Sequence, residues 1–269
     1  MRWRKPRGRI LLVPDQWSGS VQQYYHFLLG YLAPALAWAD DTGNRCVTLR
    51  DCGPMNRWLD EIASVLDIEI MSPGDALHVF AGRRQPSVVL RGMDFPKEHK
   101  RENLRRFREQ IFGIFDVSPG VPSVVVSDRV VSDPFFHQAH AEVPMSGAER
   151  RSVPNLSEVG AQWSFEGLGV SVMDPSVLAP REQIQTHASA RVLVGQHGAG
   201  LTNMIWMDPG GVVVEIHPPL PQEAVHTFRL LAEACALTYV RIPQDGVHSL
   251  VDPEALNSAV ASAVTAARL

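Results

Sequence analysis

The chain has 269 residues, 45% of them hydrophobic and 20% charged, with a formal net charge of −4 and a pI near 6.2. This is enough apolar material for one large core or two small ones. It is too little positive charge for a protein that grips nucleic acid by neutralising phosphates across its surface. Three cysteines, Cys46, Cys52 and Cys235, are odd in number and lack metal-ligand spacing, which argues against a disulfide framework and for a reducing compartment.

In chain order, the basic start MRWRKPRGR runs into an apolar stretch, Ile10 to Val13, too short for the core of a signal peptide. Arg9 to Val13 therefore reads as a first strand. Val21 to Trp38 reads as a helix with Tyr24, Phe27, Leu28, Tyr31, Leu32 and Leu36 at helical spacing, which Pro34 should kink or end. Cys46 to Leu49, Ile68 to Met71, Leu77 to Phe80 and Val88 to Leu90 are strand candidates, with a helix from Asn56 to Leu66. Lys97 to Phe115 is helical, with Leu104, Phe107, Ile111 and Phe115 on one face. Its basic residues at 97–108 interleave with acids, as on a solvated face stitched by i,i+4 pairs; contact with an acceptor or an anionic membrane is the alternative.

DVSPGVP, residues 116–122, clusters Ser, Pro and Gly as linkers do. Val124 to Val126 then opens a second α/β unit, which predicts domains at 1–119 and 120–269. The Ala- and Val-rich end, Ala255 to Leu269, is a helix that can cross back to brace the first domain. No window supplies the ~20 apolar residues of a membrane helix.

The most informative stretch is Arg191 to Pro218, RVLVGQHGAGLTNMIWMDPGGVVVEIHP. Val192 to Val194 is a buried parallel strand that stops at Gly195. His197, Gly198 and Gly200 follow in a turn whose glycines let the backbone approach a ligand. A helix starting near Leu201 points free amides and its positive end at that spot, a ready anion site. Ala199 lies in the turn, and Thr202 and Asn203 can cap the helix or bond a phosphate oxygen. Val212 to Val214 forms the next strand, and Glu215 sits at its carboxyl end, where open parallel sheets bind ligands. The fold class is thus α/β, two facing Rossmann-like domains with a cleft between them.

HGAGLTN followed by PGGVVVEI resembles the signature of glycosyltransferase family 61, which includes plant xylosyl- and arabinosyltransferases and animal protein O-linked N-acetylglucosaminyltransferases. SVQQYYHFLLGYLAPAL resembles the family's N-terminal segment, and Arg150 to Glu158 resembles an R-x-I-x-N-E segment in which Leu156 replaces an acid. The resemblance implies a transferase that moves a sugar, with inversion, from a UDP-linked donor to an acceptor hydroxyl. The acceptor could be a carbohydrate, a lipid-linked intermediate, a protein or a small natural product. The plant and animal relatives carry secretory signals or anchors and this chain does not, which implies a cytoplasmic, bacterial version. A phosphate-ligand epimerase or phosphatase, or an inactive scaffold, are the alternatives.

That reading assigns Arg129 or Arg151 to the diphosphate, because guanidinium binds phosphate oxygens with two prongs. It assigns Glu215 to ribose hydroxyls, and the stretch His197, Gly198, Ala199, Gly200, Leu201, Thr202 and Asn203 to the donor. His26, Asp15 and Asp94 compete for the general base. No Asp-x-Asp element is present to hold a metal against a diphosphate, so neither a metal nor another cofactor is expected.

Overall fold

The computed structural model describes residues 9–72, 86–129, 132–143, 146–220 and 226–267. The chain divides into two units, Met1–Glu98 and His99–Leu269. The expected strand at Leu77 to Phe80 lies outside the described residues.

In the first unit, β1 (Ile10–Pro14), β2 (Cys46–Arg50), β3 (Asp67–Met71) and β4 (Ser87–Leu90) form a parallel sheet in the order β3-β2-β1-β4. The chain steps outward from β1 to β3 and then returns to the other side of β1 as β4. Between β1 and β4 the winding reverses, and ligands of open α/β sheets bind at such switch points.

The helix expected from Val21 begins later and in another form. His26–Leu32 is π-helical and Ala33–Thr42 is α-helical. The Ala33 amide bonds Leu28 O, five residues back. Pro34 does not end this helix. Having no amide to donate, it sits where the wide turns give way to α-helix.

In the second unit, β5 (Ser123–Ser127), β6 (Gly169–Met173), β7 (Ala190–Gln196), β8 (Val212–His217) and β9 (Thr238–Pro243) form a parallel sheet ordered β6-β5-β7-β8-β9. Its switch point lies between β5 and β7. The three valine-rich runs seen in the sequence lie side by side in register: Val124 with Val192 with Val212, and Val126 with Val194 with Val214. These six form one core with Leu256, Val260, Ala263 and Val264 of the last helix, Pro253–Ala266. That helix packs on β7, β8 and β9, where its apolar stripe is buried.

The parting after Glu98, rather than near residue 120, has a similar cause. The helix Arg101–Phe115 buries Leu104, Phe107, Ile111 and Phe115. Phe107 lies 5.6 Å from the ring of Trp206, and Arg108 bonds Trp206 O at 3.1 Å and Asp208 at 2.6 Å. Two parallel α/β units agree with the expected Rossmann-like pair. Among the described residues no helix is long and apolar enough to cross a membrane, and none of the three cysteines forms a disulfide.

Candidate active site

At the carboxyl ends of β5 and β7, Arg129 is the central side chain. Its Nη2 donates to His197 O at 2.7 Å, and its Nη1 reaches Gly147 O and Arg151 O, each at 3.5 Å. Gly198 makes this seat. Its backbone lies at φ +150°, open to glycine but not to side-chain-bearing residues, and a Cβ there would overlap Nη2 of Arg129.

A Cβ on Gly200 would fall 2.8 Å from Ser127 Oγ, so this glycine lets the turn pack closely on β5.

Arg150 and Arg151 adjoin Arg129. Burial, then Arg151 and Arg150, push the Arg129 guanidinium down to about 10. Burial and Arg150 push Arg151 down to about 10 as well, with Glu215 opposing. Like charges crowded into a partly dry place are costly unless an anion joins them.

The turn continues into a 3-10 helix, Ala199–Trp206, not the expected α-helix from Leu201. It packs against β7 and the helices 101–115, 180–188 and 227–234, which makes it a buried keystone. The side chains of Leu201, Thr202 and Asn203 are fully buried, each 0% exposed. Asn203 accepts from Gln183 at 3.0 Å and Trp206 at 3.2 Å and donates to Gly200 O at 2.9 Å. Asn203 thus holds the turn from within, while Thr202 Oγ1 is buried with no hydrogen-bond partner among the described residues. Ala199 and Gly200 remain half-buried, and the first amides of a helix have no intrahelical acceptor.

At 1% exposure, Glu215 accepts from His197 Nδ1 at 2.5 Å through one oxygen and from Tyr239 OH at 2.6 Å through the other. Tyr239 escaped the sequence reading because β9 carries no alternating signal. Burial, with Glu215 adding, raises its phenol far above the usual range, so it stays a proton donor to the carboxylate.

His217 stands 5.1 Å from the His197 ring. His197, Glu215 and His217 offer ligand atoms that all lie within 4.8 Å of one another, a spacing that could hold a metal. Arg241 Nη2 faces His217 Nδ1 at 3.1 Å; guanidinium only donates, so Nδ1 accepts there, and the buried Nε2 has no hydrogen-bond partner among the described residues. Burial first, with Arg241 and His197 adding, lowers the His217 pKa against the pull of Glu215.

Buried amides hold the neighbouring loops. Gln196 Nε2 donates to Ser152 O at 3.0 Å, Val247 O at 3.1 Å and Gln244 Oε1 at 2.7 Å. Asn155 exchanges two bonds with the backbone of Val251, at 2.9 and 3.0 Å. Asn155 is thus a clasp that fixes the arginine-bearing segment, while Glu158 is exposed.

In the first unit, the surface at the ends of β1 and β4 carries a second cluster. His26 Nδ1 lies 2.8 Å from Asp94 Oδ2. The carboxylate is nearly enclosed and the ring half-exposed, at 4% and 31%. Asp94 also accepts from Ser18 Oγ at 3.2 Å and Gly19 N at 3.3 Å, and Tyr25 OH donates to Asp94 O at 2.5 Å.

Glycines make room for the pair. A Cβ on Gly30 would fall 2.8 Å from Asp94 Oδ2, one on Gly92 2.5 Å from Oδ1, and one on Gly19 would overlap the His26 ring at Nε2. With Nδ1–H donated to the carboxylate, neutral His26 keeps its lone pair on Nε2. His26 and Asp94, rivals on sequence, thus form one dyad. Asp15 forms a turn, accepting from Trp17 N at 3.0 Å.

The family model for glycosyltransferase 61 matches residues 24–214. The chain belongs to glycosyltransferase family 61. The matched span contains His26, Asp94, Arg129, Arg151 and the whole heptapeptide of this transferase; it starts after Asp15 and stops one residue short of Glu215. No curated protein matches the chain. A glycosyltransferase binds a sugar donor and an acceptor, and each unit presents one polar cluster at the end of its sheet where ligands are held.

Proposed function

We propose that this family 61 member is an inverting, metal-independent GT-B transferase that moves a sugar from a UDP-linked donor to an acceptor hydroxyl. The observation that carries the donor half is the crowding of Arg129, Arg150 and Arg151 at the His197–Gly198 turn. Asp128, Asp174 and Glu215 offset part of that positive charge; a diphosphate adds further negative charge, which grows as the glycosidic bond breaks. Arg129 and Arg151 hold the phosphate oxygens. The amides of Ala199 and Gly200 add donors, and His197, kept in place by Glu215 and Tyr239, presents its Nε2 edge. Because these cations do the work usually given to a divalent ion, the reading needs no metal.

Inversion is a single displacement and needs one base on the acceptor hydroxyl. His26 is that base in this reading, with Nε2 as the accepting atom. Asp94 orients the ring and stabilises the imidazolium as the proton arrives. Asp94 is a positioning residue, and Asp15 shapes the adjoining turn.

Calorimetric titration with UDP, GDP, CMP and dTDP, each with and without EDTA, tests the donor half. UDP should bind selectively and EDTA should leave its affinity unchanged, while Arg129→Met should weaken it by about tenfold or more, the worth of one charge-assisted bond pair. Silence with all four nucleotides, or binding that EDTA abolishes, would sink the proposal.

A further inference from the structure

At the carboxyl ends of β7 and β8, three side chains able to ligate a metal share one buried place. Glu215 and His217 stand two residues apart on β8, so both point to the same side of the sheet. His197 directly follows β7, and its amide donates to Ile216 O, between the two, at 2.9 Å. His197 is 7% exposed, Glu215 and His217 1% each. Their ligand atoms all lie within 4.8 Å of one another, and the Phe228 ring stands 5.0 Å from that of His197.

Hydrogen bonds leave the cluster unfinished. His197 Nδ1 and Tyr239 OH occupy the two oxygens of Glu215, but His217 Nε2 is buried with no hydrogen-bond partner among the described residues. A buried polar atom left this way is costly, and a cation on its lone pair removes the cost. The His217 ring also has an acceptor, the Pro218 carbonyl. Because Nε2 has no partner, that carbonyl serves Nδ1. A proton on Nδ1, donated to Pro218 O, leaves the Nε2 lone pair for an ion, the arrangement metal-bound histidines adopt. Arg241 is exposed on the edge strand β9, so its guanidinium can turn from Nδ1 to solvent as a cation arrives.

We infer that His197, Glu215 and His217 bind one divalent transition-metal ion, with Zn²⁺ the ion that suits these donors. Two imidazoles and one carboxylate are a donor set that zinc sites use, with a fourth position left to water. Mg²⁺ and Ca²⁺ want six or more oxygens, and this cluster offers one carboxylate. Bonds of about 2.0–2.2 Å set neighbouring ligand atoms roughly 3.3 Å apart, so small side-chain rotations close the site. The ion enters between His197 Nδ1 and Glu215, the Nδ1 proton passes to Nε2, and Tyr239 keeps hold of the other Glu215 oxygen. This ion lies on the Nδ1 side of His197. It is distinct from an ion held against a diphosphate, which the transferase reading does without. Glu215 seats His197 without it, so UDP affinity should not follow metal content, and the UDP titration stays a separate test.

The test is metal binding by the tag-free full chain, stripped with a chelator and titrated with Zn²⁺ alone. Elemental analysis after desalting should find one equivalent, and Zn²⁺ at about a hundredfold its Kd should raise the melting temperature by roughly 5 °C or more. His217→Ala and Glu215→Gln should each weaken Zn²⁺ binding by about tenfold or more. Arg241→Ala, which removes a competing cation, should tighten it by about threefold, and this variant keeps the site testable if a ligand variant fails to fold. No uptake by the wild type, or uptake that both ligand variants retain in full, would overturn the site. Zn²⁺ binding beside silence with UDP would support the site and sink the donor reading alone.

Discussion

At φ +150° and ψ −177°, Gly198 occupies backbone space closed to other residues, and a methyl there would overlap the Arg129 guanidinium. Gly198→Ala should therefore displace Arg129 from His197 O and weaken UDP binding by about tenfold or more while the core stays intact. Calorimetry with a thermal melt reads both quantities; unchanged affinity in a folded variant would remove Arg129 from the donor site. His197, Gly198 and Arg129 were legible as a group because a histidine with two glycines at a strand end has no packing explanation. The surroundings of Asn203 were not legible, for a physical reason. Its amide looks the same in sequence whether it faces phosphate or Gln183, and only the fold shows it at 0% exposure.

The helix Pro180–Ala188 carries a pH-dependent part of the second unit's stability. His187 is 0% exposed and bonds Gln183 O through Nδ1 at 2.7 Å. Burial pushes its pKa from 6.5 down to about 4. The folded form thus holds the ring neutral while the unfolded chain protonates it. Its contribution is complete above the unfolded value of 6.5 and is lost as pH falls toward about 4, on the order of 3 kcal/mol in all. Urea midpoints at pH 7 and pH 4.5 should show this loss, and His187→Leu should flatten it. An equal acid loss in that variant would place the effect elsewhere. This helix and β9 were not legible in sequence. The helix has few apolar residues and β9 is a short edge strand, and their place is set by the 3-10 segment and by β8. The valine runs of β5, β7 and β8 were legible, since strands buried on both faces read as unbroken apolar stretches.

For the whole molecule, the division after Glu98 predicts how fragments behave. Residues 99–269 should melt cooperatively when expressed alone. A fragment of 120–269, which lacks the helix Arg101–Phe115, should lose cooperativity because Trp206 loses Phe107 and the Arg108 bonds. Equal melts for the two fragments would move the boundary to residue 120.

The sequence by itself determined the family, the parallel α/β character and the glycine turn after β7, because each is written in contiguous residues: a heptapeptide, valine runs, two glycines. Tertiary structure alone decided the rest. It joined His26 to Asp94, 68 residues away, gave Glu215 to His197 and Tyr239, and set the helix 101–115 in the second unit. The physical reason is that pairing partners and helix docking depend on which surfaces meet in space, and a one-dimensional pattern carries no record of that.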